Sequence, residues 1–166
     1  MKRNSSARTV ALGGVMAALA VVLMCLGGLI PVATYVCPML CTLLLFVVQR
    51  ICGSRIGWAW YGAVTILCVL LGPDKEASAV FAAIGYYPLL KPRMDRMKLP
   101  WLWKALLFNC AIGAVYTVLI HLFGMAQLVQ EFEELGNVML IVLLVLGNLT
   151  FYLLDLLLGR LERKFK

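Results

Sequence analysis

The chain has 166 residues, of which 63% are apolar and only 14% charged, and carries a formal net charge of +7 with a mean hydropathy of +0.95. Soluble domains are about a quarter charged, so this composition excludes one and reads as an integral membrane protein. Crossing a hydrocarbon core of about 30 Å takes about 20 helical residues, so six such segments with short connections fill the chain and leave no length for a separate soluble catalytic domain.

In chain order the apolar segments run over 9–30, from Pro31 or Thr34 to Val48, and then over 56–71, 77–90, 101–123 and 138–157. Solid apolar runs such as Leu140 to Leu146 lack the alternation a membrane barrel requires, and a helix is the other structure that pairs its whole backbone in lipid. The expectation is an all-α integral membrane protein: residues 1–166 as one domain, a compact bundle of six transmembrane helices. Lys2, Arg3 and Arg8 before the first apolar run could begin a secretory signal, but the run is longer than a signal's apolar region and lacks a small-x-small cleavage site. It is read as a true first helix.

The basic residues set the orientation. Lys2, Arg3, Arg8, Arg50, Arg55, Lys91, Arg93, Arg96, Lys98, Lys104, Arg160, Arg163, Lys164 and Lys166 all fall on one side of a six-span arrangement, and Lys75 alone falls on the other. Cytoplasmic loops are enriched in Lys and Arg, so both termini are expected in the cytoplasm. The opposite loops carry Asp74, Glu76, Glu131, Glu133 and Glu134. This topology, together with attraction to anionic membrane lipid, explains the net charge without a nucleic-acid partner. The arrangement suits the plasma membrane of a prokaryote.

Polar residues inside apolar spans are costly and therefore informative. On the last span Asn148, Tyr152 and Asp155 share a face, and on the fifth Asn109, Gly113 and Tyr116 repeat that spacing. Lys104 and Asp155 each lie within a turn of the inner end of their own spans, which predicts an ion pair between them. Each could alternatively snorkel separately to the interface. Asn109 and Asn148 fit either interhelical hydrogen bonding or contact with a ligand. His121, the one histidine, lies near the outer end of the fifth span, where it could meet a ligand or water. Trp58, Trp60, Trp101 and Trp103, with Tyr86 and Tyr87, read as interfacial belt residues. The six cysteines form no CxxC pair and read as small packing residues, so no metal or cofactor is expected.

Gly27, Gly28, Pro31 and Pro38 interrupt the pattern between the first two spans, and Gly72 and Pro73 do so before the fourth. Broken backbone at membrane depth is tolerated where it lines a cavity, which directs attention to the outer half of the bundle. The first span contains ALGGVMAALA, where Gly13 with Ala17 and Gly14 with Ala18 offer a smooth surface for another helix.

A basic tail, the small-residue first helix TVALGGVMAALAVVL followed by an Ile-Pro step, six spans and both ends inside together resemble the substrate-binding S component of an energy-coupling-factor (ECF) vitamin transporter. The likeness covers the whole chain in architecture and Thr9 to Pro31 in sequence. The resemblance implies that Gly13, Gly14, Ala17 and Ala18 dock on a transmembrane coupling subunit, and that two partner ATPase subunits supply the energy. It further implies a small, vitamin-like molecule held in the outer half, with Thr34, Tyr35, Glu76, Tyr116, Thr117, His121 and Asn148 as candidate contacts by position.

The chain has no GxxxxGK[ST] phosphate loop and no HExxH, GxSxG or CxxC motif, so an enzyme is not expected. The alternative role is a non-transporting scaffold subunit of a cell-envelope or morphogenesis complex, in which the same small residues would serve as a packing surface.

Overall fold

The computed structural model describes residues 2–27, 33–121 and 126–164. Its elements are all helices: α1 (Lys2–Gly27), α2 (Ala33–Cys52), α3 (Ser54–Leu71), α4 (Lys75–Ile84), α5 (Tyr87–Met94), α6 (Pro100–His121) and α7 (Ala126–Lys164). Five stretches within them are long and apolar enough to cross a membrane: Ala7–Gly27, Thr34–Cys52, Ser54–Leu71, Pro100–His121 and Leu144–Lys164. The chain is a multi-pass, all-helical membrane protein.

Two of the expected spans differ from what the structure contains. The segment 77–90 is not one helix: α4 ends at Ile84 and α5 begins at Tyr87, because Pro88 supplies no N–H to the Ile84 carbonyl. The last span belongs to a much longer helix, since the 39 residues of α7 extend about 58 Å, roughly twice a hydrocarbon core. The backbone of Glu131, Glu133 and Glu134 is therefore helical where a loop was expected.

Contacts divide the chain into two compact units, Met1–Arg96 and Met97–Lys166. In the first, α1 turns Gly13, Ala20, Met24 and Gly27 inward, a helical stripe that meets Cys37, Cys41 and Leu45 of α2 and Val64 and Cys68 of α3. Many of these side chains are small, which lets helix axes approach closely where lipid offers no hydrophobic drive to association. Cys41 and Cys68 are fully buried, and the Cys41 thiol donates to the Ala20 carbonyl at 3.5 Å. The cysteines described are free thiols.

The α2–α3 joint is the single residue Gly53 at φ +89°, a left-handed conformation that favours glycine. Past it, α3 packs so closely that a Cβ on Gly57 would come within 2.9 Å of Leu89 Cδ2 on α5. The opposite end of α3 is finished by side chains. Lys75 Nζ donates to the Val69 and Gly72 carbonyls at 2.8 and 3.0 Å, placing a cation at the negative end of the helix dipole. Asp74 caps α4 by accepting from the Ala77 N–H at 3.0 Å, and Ser78 Oγ lies 2.9 Å from both the Cys68 and Asp74 carbonyls.

In the second unit α6 and α7 form a hairpin. Phe108 and Phe151 stack at 4.8 Å between centroids, over Gly147, where a Cβ would lie 3.4 Å from the Phe108 ring. Val115 and Leu119 of α6 and Leu154 and Leu158 of α7 are buried.

Candidate functional site

The polar residues of the first unit gather where α2 begins and α3 ends. Thr34 Oγ1 donates to Asp74 Oδ2 at 2.8 Å, and Tyr35 Oη donates to Glu76 Oε1 at 2.8 Å. The chain brings these groups together because Asp74 ends the α3–α4 turn as the N-cap of α4 while Thr34 and Tyr35 occupy the first turn of α2. Both helix starts thus present their positive ends to the two carboxylates. Arg50 ends α2 and Arg55 opens α3, so the basic residues of this hairpin lie at the end away from the carboxylates.

Thr34, Tyr35 and Glu76 were expected at a site; Asp74, which accepts from Thr34, was not. Its sequence signal is an acid three residues ahead of an apolar helical run, the usual N-cap pattern.

In the second unit the candidates serve local bonds. Thr117 Oγ1 donates to the Gly113 carbonyl at 2.7 Å. His121 Nδ1 lies 3.0 Å from the Thr117 carbonyl; a carbonyl only accepts, so Nδ1 is the donor in that bond. Tyr116 is half-buried and His121 exposed. Asn148 is joined to Asn109 by bonds in both directions, 2.9 and 3.1 Å. Lys104 Nζ lies 2.8 Å from Asp155 Oδ2 with 12% and 20% of the side chains exposed, the pairing that the register of the two spans predicts.

The small residues of α1 divide between two faces. Gly13 is buried and its carbonyl accepts from Trp60 Nε1 of α3 at 3.1 Å, while Ala17 packs against the core. Gly14 and Ala18 are exposed, as are Ala7 and Ala11 on the same side. A Cβ on Gly14 would meet nothing within 4 Å.

No protein-family model, curated protein or solved structure matches this chain.

Proposed function

We propose that this chain is the membrane-embedded binding component of a small-molecule uptake system, of the ECF S-component kind, energised by a coupling subunit and two ATPases. The observation that carries the reading is the polar cluster of Thr34, Tyr35, Asp74 and Glu76 at the end of the α2–α3 hairpin away from Arg50 and Arg55. With basic residues inside, this cluster faces out, both termini are cytoplasmic, and the α4–α5 segment serves as the fourth of six spans in the plasma membrane of a prokaryote. A vitamin-like molecule enters from the acidic side and meets Tyr35 and Glu76 of the first unit.

Docking on the coupling subunit uses the exposed half of the small-residue surface, Gly14 and Ala18, since Gly13 and Ala17 are engaged within the fold. One observation favours the scaffold reading instead. The hydroxyls of Thr34 and Tyr35 and the amide of Asn148 are hydrogen-bonded within the protein, so these candidates have structural partners of their own.

Mild-detergent affinity purification from native cells, with mass spectrometry of co-purifying proteins and extractable small molecules, separates the two. The uptake reading expects a coupling membrane protein with two ATPases, lost in Gly14→Leu or Ala18→Leu, and an extractable ligand. Envelope-synthesis proteins without a ligand would overturn it in favour of the scaffold.

A further inference from the structure

Helix α7 is about twice as long as a hydrocarbon core is thick, so part of it stands in water. That part is 126–137, where Glu131, Glu133 and Glu134 fall close together, and it projects about 18 Å. Along this stretch and just past it apolar residues recur at alternating steps of four and three, at Leu128, Phe132, Leu135 and Met139. That spacing keeps one stripe of a helix turned toward one partner helix. Written as a heptad, Phe132 and Met139 take position a and Leu128 and Leu135 take d. The polar residues Gln127, Gln130, Glu133, Glu134 and Asn137 then all take b, c or f.

The same register continues into the membrane. Val142, Leu146, Leu149 and Leu153 extend the a and d positions, and all four are exposed. The side of α7 that meets α6 is a different one. Gly147 under Phe108, Asn148 bonded to Asn109, Phe151 stacked on Phe108 and Asp155 paired with Lys104 occupy b, c, f and c. One side of α7 is thus taken by α6, and the a–d stripe runs down the other. Lipid can cover the stripe from Val142 to Leu153, because its tails are as apolar as leucine. It does not reach Leu128, Phe132 and Leu135, which share their segment with three glutamates, and an apolar stripe in water marks a protein contact.

We propose that α7 pairs with the α7 of a second copy of this chain, as a parallel two-stranded coiled coil running from Leu128 to Leu153. Two features single out a second copy as the occupant. Copies inserted in the same orientation present α7 parallel and at the same depth, so a meets a and d meets d without a shift in register, as a two-fold isologous contact requires. The charge pattern then matches itself. Between Leu128 and Leu153 the one charged residue at an e or g position is Glu131, at g, and in a parallel pair it faces Gly136, at e of the other copy's next heptad. Glu133 and Glu134, at b and c, lie off the seam, so like charges do not oppose each other across it. The pairing does not depend on what the protein binds.

The test is a scan of single cysteine substitutions through 127–139 of the full chain in native membranes, oxidised with copper phenanthroline and read on non-reducing gels against the wild-type background. Disulfide-linked dimer should be about fivefold or more stronger at 128, 132, 135 and 139 than at 127, 130, 134 and 137, following the heptad. In native mass spectrometry, Phe132→Glu with Leu135→Glu sets like charges across the seam and should lower the dimer fraction about tenfold or more. Glu133→Lys with Glu134→Lys, in the same segment but off the seam, should leave the dimer fraction unchanged. Cross-linking that is absent, follows no heptad, stays within one chain or joins α7 to a different protein would overturn the pairing. So would a dimer indifferent to Phe132→Glu with Leu135→Glu.

Discussion

Asn109 and Asn148 exchange hydrogen bonds across the α6–α7 seam, each Nδ2 donating to the other's Oδ1, at 2.9 and 3.1 Å. Each Nδ2 also donates to the carbonyl four residues back in its own helix, Ala105 at 2.8 Å and Leu144 at 2.9 Å. All four amide N–H groups are thus used inside the hairpin, and a ligand at Asn148 would have to displace one of these bonds. Asn109→Ala and Asn148→Ala should each destabilise the protein by about 0.6 to 1.7 kcal/mol, the range for interhelical hydrogen bonds in bilayers. The double variant should lose less than the sum. Unfolding in bicelles measures all three, and strict additivity would show that the two amides act independently.

The Lys104–Asp155 pair couples the same two helices with charge. Its side chains are mostly covered, so removing one partner strands the other in a poorly solvated place. Lys104→Ala or Asp155→Ala alone should cost about 1 to 3 kcal/mol, between the values for exposed and buried pairs. The double alanine variant should recover part of that loss, and the reversed pair Lys104→Asp with Asp155→Lys more of it. Single-variant losses that simply add in the double variant would mean that each residue snorkels to water by itself.

That pair was legible in the sequence because two charges near the inner ends of antiparallel helices have few other neighbours to meet. The apolar runs were equally plain, since lipid demands solid hydrophobic stretches. The fourth span misled for a physical reason: Ala77 to Leu90 is apolar throughout apart from Ser78 and the tyrosines, and hydropathy does not register the N–H that Pro88 lacks. The side of α1 that Gly13 occupies was illegible too. Gly13 and Gly14 are adjacent and chemically identical, and only the approach of the Trp60 indole tells them apart. Lys75 looked like an exception to the charge pattern until its contacts with the Val69 and Gly72 carbonyls gave it the work of finishing α3.

The glycines of α1 and of the α3–α4 turn should respond oppositely to alanine. At Gly72 an added Cβ would sit 2.3 Å from the Cys68 carbonyl oxygen and 2.8 Å from Ser78 Oγ, so both the end of α3 and the Ser78 bridge must shift. Gly72→Ala should destabilise by about 2 kcal/mol, in the range of overpacked positions. At Gly14 the added methyl meets nothing within 4 Å, and alanine favours helix over glycine, so Gly14→Ala should be neutral or up to about 1 kcal/mol stabilising. Thermal unfolding in detergent decides this, and equal losses at the two positions would mean that Gly14 is packed against something within the chain.

The clasp at the start of α2 separates a structural acid from a binding one. Asp74 serves two bonds, capping α4 through the Ala77 N–H and receiving Thr34, so Asp74→Ala should cost about 1 to 2 kcal/mol from the lost cap alone. Tyr35 is 47% exposed, and its bond to Glu76 is open to water. Tyr35→Phe should therefore change stability by no more than about 0.5 kcal/mol, as surface substitutions do. On the proposed reading it nonetheless lowers the amount of small molecule that co-purifies with the protein, whereas a scaffold loses nothing at Tyr35. Measuring unfolding temperature and extractable ligand on the same Tyr35→Phe preparation keeps the two effects apart, and wild-type ligand content would remove Tyr35 from the site.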